Sequence, residues 1–156
     1  MESPNYEAAI GFMERAGMGG IVGAEYNVND SFSTVVGGAL KLVSTERAKI
    51  CCILHVKPPI LNANGILFGG AVAAVAERVA IGCAATILGH SQLCVGEFTI
   101  SYLAPAPPNA EIIVNASVIN GGRNVAVVAL DFRLKESQRL AYVSRVTLYK
   151  IPLSNL

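Results

Sequence analysis

Two adjacent glycines and one carboxylate are the residues whose spacing could carry chemistry. Gly69 and Gly70 open a long apolar segment, and Glu77 lies eight residues after Gly69, about two helical turns further on. Amide N–H groups in the first turn of a helix lack intrahelical partners and lie at the positive end of its dipole. Such a terminus can polarise a carbonyl oxygen or hold an anion. From spacing alone, however, tight packing of the helix on a sheet is the favoured explanation of the glycines.

The surroundings of Glu77 predict an isolated carboxylate if the segment is helical. Its neighbours on the same helix face are small or apolar, namely Ala73, Ala74, Ile81 and Ala84. A desolvated carboxylate in such a place can act as a general base or as a nucleophile. The alternative is a solvated strip formed by Glu77 and Arg78 along one edge of the helix. The pattern by itself favours neither interpretation.

The first half of the chain must supply the elements that position these residues. Residues 5–16 predict a short amphipathic helix, and residues 35–43 and 49–56 predict two strands, the second ending at consecutive prolines. From Gly69 to Leu88 there is no proline, and Gly89 is a suitable helix stop. One long central helix is therefore expected.

Four strands are predicted after this helix, at residues 93–103, 111–119, 124–134 and 140–151. The segments between the last three strands have the composition of hairpin turns, which implies an antiparallel sheet. Because the central helix is apolar nearly all round, the sheet should wrap it. The sequence thus predicts an α+β fold, with residues 1–156 as a single domain.

Composition narrows the possible partners. Of the 156 residues, 53% are hydrophobic and 15% are charged, which is apolar for this size and predicts a buried subunit interface. The net charge of +1 comes from scattered lysines and arginines, which excludes the basic patch expected of a nucleic-acid or anionic-membrane binder. The cysteines lack metal-ligand spacing and are expected to be reduced, mostly buried thiols of an intracellular protein: Cys51, Cys52, Cys83 and Cys94. No metal or redox cofactor is expected.

The central helix approaches membrane-spanning length, yet a membrane role is not expected. Glu77 and Arg78 lie near its middle, where charges would be costly in a bilayer. The first residues also lack the basic and apolar regions of a secretory signal. The segment is predicted to be a buried helix.

The run from Asn62 to Glu77 reads N-x-x-G-x-L-F-G-G-A-x-x-x-x-x-E. It resembles the motif of hot-dog-fold thioesterases of the PaaI and acyl-CoA thioesterase 13 type, N-x-x-G-x-x-H-G-G followed by a helix bearing Asp or Glu. Residues 99–106, the turn 121–123 and Arg145 resemble further parts of these proteins, so the likeness covers roughly residues 35–150. It implies a hot-dog fold, an antiparallel sheet wrapped around one long helix.

The resemblance also implies roles for individual residues. The Gly69 N–H would contact the thioester carbonyl, and Glu77 from the partner subunit would activate water or attack directly. Asn62 would hold the water or the Glu77 side chain. Arg123 and Arg145 would meet phosphates of CoA, a task that suits guanidinium geometry. Alternatively, both arginines are ordinary surface residues.

This sequence departs from the family pattern at two positions. Phe68 stands in place of the motif histidine, and Val95 in place of a residue that often supplies a Ser or Thr hydroxyl. Phe68, Gly70 and Val95 remain expected to line the substrate site. Strand alternation would put Glu97 beside Val95 and Cys94 on the opposite face, which makes Glu97 the better substitute for the missing hydroxyl.

Hydrolysis of an acyl-CoA to a free acid and CoA is therefore the expected activity, with CoA entering only as part of the substrate. The resemblance implies a homodimer at least, with a homotetramer built from two dimers as the usual form. The alternative is a non-catalytic acyl-CoA binding protein on the same fold, motivated by Phe68 and Val95. A hot-dog dehydratase ranks last, because its Asp/His pair has no counterpart here.

The last three residues bear on localisation. Ser154-Asn155-Leu156 resembles the peroxisomal address S-K-L, with Asn in place of the basic residue, and a frayed tail is the alternative. Peroxisomal or cytoplasmic localisation and a role in lipid metabolism are the corresponding expectations.

Overall fold

A computed structural model of the chain describes residues 31–89 and 92–151. In chain order its elements are α1 (Ser31–Ala39), β1 (Leu40–Glu46), β2 (Lys49–His55), a 3₁₀ turn (Pro58–Ile60), α2 (Gly69–Leu88), β3 (Leu93–Tyr102), β4 (Glu111–Gly121), β5 (Val125–Leu134) and β6 (Leu140–Lys150). The helix predicted at residues 5–16 and the tripeptide at 154–156 lie outside the described residues. Those two expectations, and the single-domain assignment for the whole chain, stay predictions.

The strands form one six-stranded antiparallel sheet in the order β1-β2-β4-β5-β6-β3. Hairpins join β1 to β2, β4 to β5 and β5 to β6, as the turn composition predicts. The chain leaves β2 through α2 and returns at the far edge of the sheet, where β3 pairs with β6. The predicted hot-dog architecture, a sheet around one long helix, is confirmed.

The core lies between α2 and one face of the sheet, called the inner face. On β5 this face carries every second residue, of which Leu134 at the strand end is partly buried and four are buried: Ala126, Val128, Leu130 and Phe132. Alanine and valine dominate the buried side of α2, so the helix axis can approach the sheet closely. By length and composition alone α2 would suffice to cross a membrane, but half of its apolar window is buried inside the fold. It packs as the core helix that the sequence predicts.

The ends of α2 coincide with the predicted bounds. Phe68 precedes the helix in an extended conformation, with φ −68° and ψ 129°, and no side chain caps this end. At the other end Gly89 adopts a positive φ of 79°, and its N–H donates to the Ala85 carbonyl at 3.0 Å. A glycine enters this region of backbone conformation without steric cost, which explains the stop.

The strand predicted at residues 35–43 is wrong over its first half. Those residues belong to α1, and β1 begins only at Leu40. The β-branched valines favoured a strand, but α1 buries Val36 and Ala39 in the core, and tertiary packing of this kind overrides local propensity. The other strands begin and end within one or two residues of the predicted positions.

Candidate active site

The loop before α2 is built around Asn62. Its side-chain oxygen Oδ1 accepts the N–H groups of Asn64 at 2.9 Å and Ile66 at 3.2 Å. Its backbone N–H donates to the Ile66 carbonyl at 2.8 Å, and Gly65 closes the turn with a φ of 73°. Because Oδ1 already accepts these two hydrogen bonds from the loop, the side-chain NH₂ group is the part of Asn62 that remains to bind another molecule, as a donor.

The first turn of α2 presents free hydrogen-bond donors. The Phe68 carbonyl accepts the N–H groups of Ala71 at 3.0 Å and Val72 at 3.2 Å. Within residues 31–89 and 92–151, neither Gly69 N–H nor Gly70 N–H has an acceptor. These two amides lie at the positive end of a twenty-residue helix, where a carbonyl oxygen or an anion is favoured.

Gly69 lies in a cleft of about 310 Å³ that also contains Asn62, Tyr102 and Tyr142. The Tyr102 hydroxyl donates to the Gly69 carbonyl at 2.9 Å. Sequence reasoning did not single out Tyr102, although it lies in the segment 99–106 that carries part of the resemblance. Its position at the end of a strand, just before a proline-rich break, was the available signal.

The Phe68 ring flanks the helix start at Gly70. A Cβ on Gly70 would lie 2.5 Å from an edge carbon of this ring, so only glycine allows the ring to rest there. Phe68 is 48% exposed, so its ring lies at the surface beside the helix start. Both glycines permit close packing, as the simpler interpretation held. That interpretation expected a sheet as the packing partner, whereas the groups found there are aromatic rings at an open helix end.

Glu77 is exposed in the single chain, so its own helix neighbours do not desolvate it, and of the two interpretations left open by the pattern the solvated one describes the single chain. It lies on the side of α2 turned away from the sheet, where α1 covers it only partly. It lines a cavity of about 350 Å³ between the two helices, together with Phe32, Ser33, Val36, Ala74, Arg78 and Ile81. The Arg78 side chain reaches α1, where a Cβ on Gly37 would collide with its guanidinium.

Glu77 and Gly69 of one chain cannot act on the same carbonyl group. They are separated by eight residues of continuous helix, or about 12 Å along its axis. A catalytic base must approach within hydrogen-bond distance of its target, directly or through one water. A site that uses both residues must therefore combine Gly69 of one chain with Glu77 of another.

Val95 and Glu97 do not lie side by side, and that prediction is wrong. The β3–β6 register shifts between them, because Val95 pairs with Leu148 and Glu97 with Thr147, which leaves Gly96 as an extra residue. This bulge reverses the alternation. Val95 packs on the core while Glu97 is exposed, on the same side as Cys94. A glycine inside a strand was the signal for a bulge, and here it also admits the Tyr149 ring.

The two arginines lie away from the cleft of Gly69. Arg123 is exposed in the turn between β4 and β5. Arg145 is exposed on the outer face of β6, between Thr99 and Ala129, with the sheet separating it from α2. Neither forms an ion pair with any other described residue. The fold thus brings Asn62, Gly69 and their aromatic flanks together and leaves Glu77, Glu97 and both arginines apart.

A six-stranded antiparallel sheet wrapped around a helix with an open, glycine-rich start defines the class of the hot-dog thioesterases. The chain belongs to the thioesterase superfamily, whose sequence model matches residues 64–141. The matched range includes Gly69, Glu77 and Arg123. The family assignment made from the sequence, and with it the thioester hydrolase class, is confirmed.

Individual proteins agree with this assignment. Acyl-coenzyme A thioesterase 13 of Homo sapiens is 28% identical over 111 residues, which cover 70% of this chain and 79% of that protein. A thioesterase from Haemophilus influenzae superposes with a TM-score of 0.69 at 25% identity, covering 80% of this chain and 85% of the other. Zebrafish thioesterase superfamily member 2 superposes with a TM-score of 0.72 at 20% identity over 97% of this chain and all of its own, which shows the common fold.

Proposed function

We propose that this protein hydrolyses an acyl-CoA thioester to a free acid and CoA. The observation that carries the proposal is the pair of amide N–H groups at Gly69 and Gly70, which have no acceptor among the described residues and lie at the helix end where Gly69 lines an open cleft. A relative that carries the name acyl-coenzyme A thioesterase supports the choice of substrate class. The acyl chain length is left to the experiment below.

The Gly69 N–H would donate to the carbonyl oxygen of the thioester. When the carbonyl carbon is attacked, that oxygen gains negative charge, and a fixed donor at the positive end of a helix stabilises it. The donor is already in place before the reaction, so little reorganisation is needed. This function requires the N–H group and no side chain at position 69.

Glu77 of a second subunit would supply the base. In one route the carboxylate takes a proton from water, the hydroxide oxygen bonds to the carbonyl carbon, and the C–S bond breaks to release CoA. The proton then passes to the departing thiolate. In the other route a carboxylate oxygen bonds to the carbonyl carbon, and the C–S bond breaks to release the CoA thiolate and leave a mixed anhydride. Water then hydrolyses the anhydride to the free acid and the Glu77 carboxylate, and the released proton passes to the thiolate. The free NH₂ group of Asn62 would hold the water or the incoming Glu77 carboxylate.

The remaining residues would bind the rest of the substrate. Phe68 and Gly70 form the exposed wall of the helix start, and Val95 contributes an apolar contact in place of a hydroxyl. Arg123 and Arg145 form no ion pair with the described part of the chain, and their guanidinium groups suit the phosphates of CoA. Since Arg145 lies on the outer face, a CoA that reaches it must pass the edge of the sheet.

A second candidate function is acyl-CoA binding without turnover. It is favoured by Phe68 and Val95, which replace a histidine and a hydroxyl with side chains that transfer no proton. It predicts stoichiometric binding of CoA esters and no release of thiol.

Thiol release from a panel of short, medium, long and aromatic acyl-CoAs tests the proposal. The wild type should hydrolyse at least one of them, and Glu77→Gln should lower kcat by about 100-fold or more, because the amide keeps the size but loses the basicity. Glu136→Gln, the same change in an exposed turn, should behave as the wild type. Equal activity of the Glu77→Gln variant would remove Glu77 from the mechanism, and binding without turnover would establish the second candidate.

Assembly and localisation are proposed on the same basis. A homodimer is the smallest unit that can combine Gly69 and Glu77, and a dimer of dimers is the form that the resemblance implies. The mass of the native complex, measured by light scattering, decides between them. Peroxisomal rather than cytoplasmic localisation is tested with a fluorescent protein fused to the N-terminus, which leaves Leu156 free.

A further inference from the structure

Tyr102 controls the geometry of the helix start without touching the substrate carbonyl. Resting on the proposed thioesterase function, we infer that Tyr102 is a positioning residue that holds and polarises the first turn of α2. Its hydroxyl donates to the Gly69 carbonyl at 2.9 Å, across 33 positions of sequence. This hydrogen bond links the end of β3 to the residue whose N–H is the proposed oxyanion donor.

A series of aromatic contacts fixes the orientation of Tyr102. The ring of Phe132, fully buried on β5, meets the ring of Tyr142 edge to face with centroids 5.9 Å apart. Tyr142 in turn meets Tyr102 edge to face at 5.7 Å. Burial raises the pKa of Tyr142, which keeps this middle ring neutral. Tyr102 is 55% exposed, yet its ring is held from the core outward.

Gly69 allows the Tyr102 ring to approach. A Cβ at position 69 would lie 3.2 Å from a ring carbon of Tyr102 and 3.4 Å from its hydroxyl oxygen. The first of these distances is tighter than an ordinary van der Waals contact, so a larger residue would push the ring outward. The glycine therefore has a second role besides exposing its own N–H, because it lets the tyrosine hydroxyl reach the backbone.

The hydrogen bond acts on the neighbouring donor through the peptide group. The Gly69 carbonyl and the Gly70 N–H belong to the same peptide unit, so a hydrogen bond accepted at the oxygen strengthens the N–H as a donor. The same bond restrains the first turn, which in an uncapped helix tends to fray. Tyr102 thus polarises the Gly70 N–H and restrains the N–H groups of both Gly69 and Gly70.

The test compares two tyrosine hydroxyls. Tyr102→Phe keeps the ring and its contact with Tyr142 but removes the donor, and kcat should fall about threefold to tenfold with KM unchanged. Tyr149→Phe is the matched control, since Tyr149 is also an exposed ring resting on a glycine, Gly96, and its hydroxyl has no hydrogen bond among the described residues. That variant should keep the wild-type kcat.

The pH dependence separates positioning from proton transfer. A hydrogen bond that only positions the backbone transfers no proton, so the inference predicts the same fall in kcat for Tyr102→Phe at every pH from about 6 to 8.5. A deficit that changes with pH in this range would assign a proton-transfer role and overturn the inference.

Three further outcomes are decisive. An unchanged kcat for Tyr102→Phe, beside an active wild type, overturns this inference and leaves the proposed function intact. A lower melting temperature together with a raised KM would assign Tyr102 a purely structural role, which also overturns it. Absence of turnover in the wild type would end both proposals.

Discussion

At the scale of single residues, the Gly69 amide nitrogen offers a direct test of the oxyanion contact. Phe68 already has the extended conformation that precedes proline, and proline is well tolerated at the first position of a helix. Gly69→Pro should therefore fold while it loses one N–H donor. We expect kcat to fall about 100-fold or more, as for other oxyanion donors, with a melting temperature close to that of the wild type.

Gly69→Ala is the control for this change. It introduces the same Cβ contact with Tyr102 but retains the N–H, so a loss of only a few-fold in kcat is expected. An equal loss in the two variants would show that crowding against Tyr102 matters and the N–H does not. Full activity of Gly69→Pro would exclude the Gly69 donor.

The sequence predicts where α2 begins better than it predicts the surroundings of the residues on it. The start of α2 at Gly69 follows from the absence of proline after it and from the glycine pair. The exposure of Glu77 does not follow, because it depends on which elements cover that side of the helix, and α1 covers it only partly. Tyr102 could not be singled out, since a tyrosine at the end of a strand has no spacing rule that connects it to a helix start 33 residues earlier.

At the scale of elements, long-range packing decided what local patterns could not. The strands of the hairpins were predictable because their turns are local and their apolar residues alternate. The helix α1 was missed because its valines have strand propensity and its helical form depends on contacts with α2. The bulge at Gly96 was missed because strict alternation was assumed, and one extra residue turns Glu97 to the opposite face.

An ion pair joins the start of β4 to the turn after β5. Lys135 Nζ lies 2.6 Å from Glu111 Oε2, and this hydrogen bond lowers the pKa of Glu111, with smaller contributions from Lys135, His55 and Lys41 charges. A carboxylate whose pKa is lower in the folded state stabilises the fold above its unfolded pKa and loses this effect as pH falls through its folded pKa. Glu111→Gln should therefore lower the melting temperature slightly at pH 7.

The difference from the wild type should shrink as the pH falls through the lowered pKa of Glu111 and vanish once the carboxylate is protonated in the folded protein. Thermal melts of both proteins from pH 3 to 8 measure it. Glu46→Gln, an exposed carboxylate outside the ion pairs of the described residues, should show no such trend. A deficit for Glu111→Gln that did not shrink between pH 8 and pH 3 would contradict the assignment to Lys135.

At the scale of the whole molecule, two inactive variants should restore each other. In a mixed dimer, one chain carries Glu77→Gln and the other carries Gly69→Pro. One of its two sites then combines the intact Gly69 of the first chain with the intact Glu77 of the second. Random mixing by co-expression should then recover about a quarter of the wild-type activity. Activity assays on the purified mixture measure this recovery.

Each variant alone, carried through the same co-expression, is the control and should stay inactive. Failure of the mixture to recover, with mixed dimers demonstrated by mass spectrometry, would place both residues in one chain or exclude one of them. The apolar composition predicts that a subunit interface exists. Which residues face each other across it cannot be predicted from any single segment of sequence, because the contact depends on two complete surfaces.

The length of helix between Gly69 and Glu77 has a consequence for the newly made chain. Each polypeptide carries both halves of the proposed machinery at a spacing that forbids their use together. On the proposed mechanism an isolated copy would not hydrolyse thioesters, and hydrolysis would begin only when two copies meet. Cellular abundance, rather than any separate inhibitor, would then set the threshold at which the enzyme turns on.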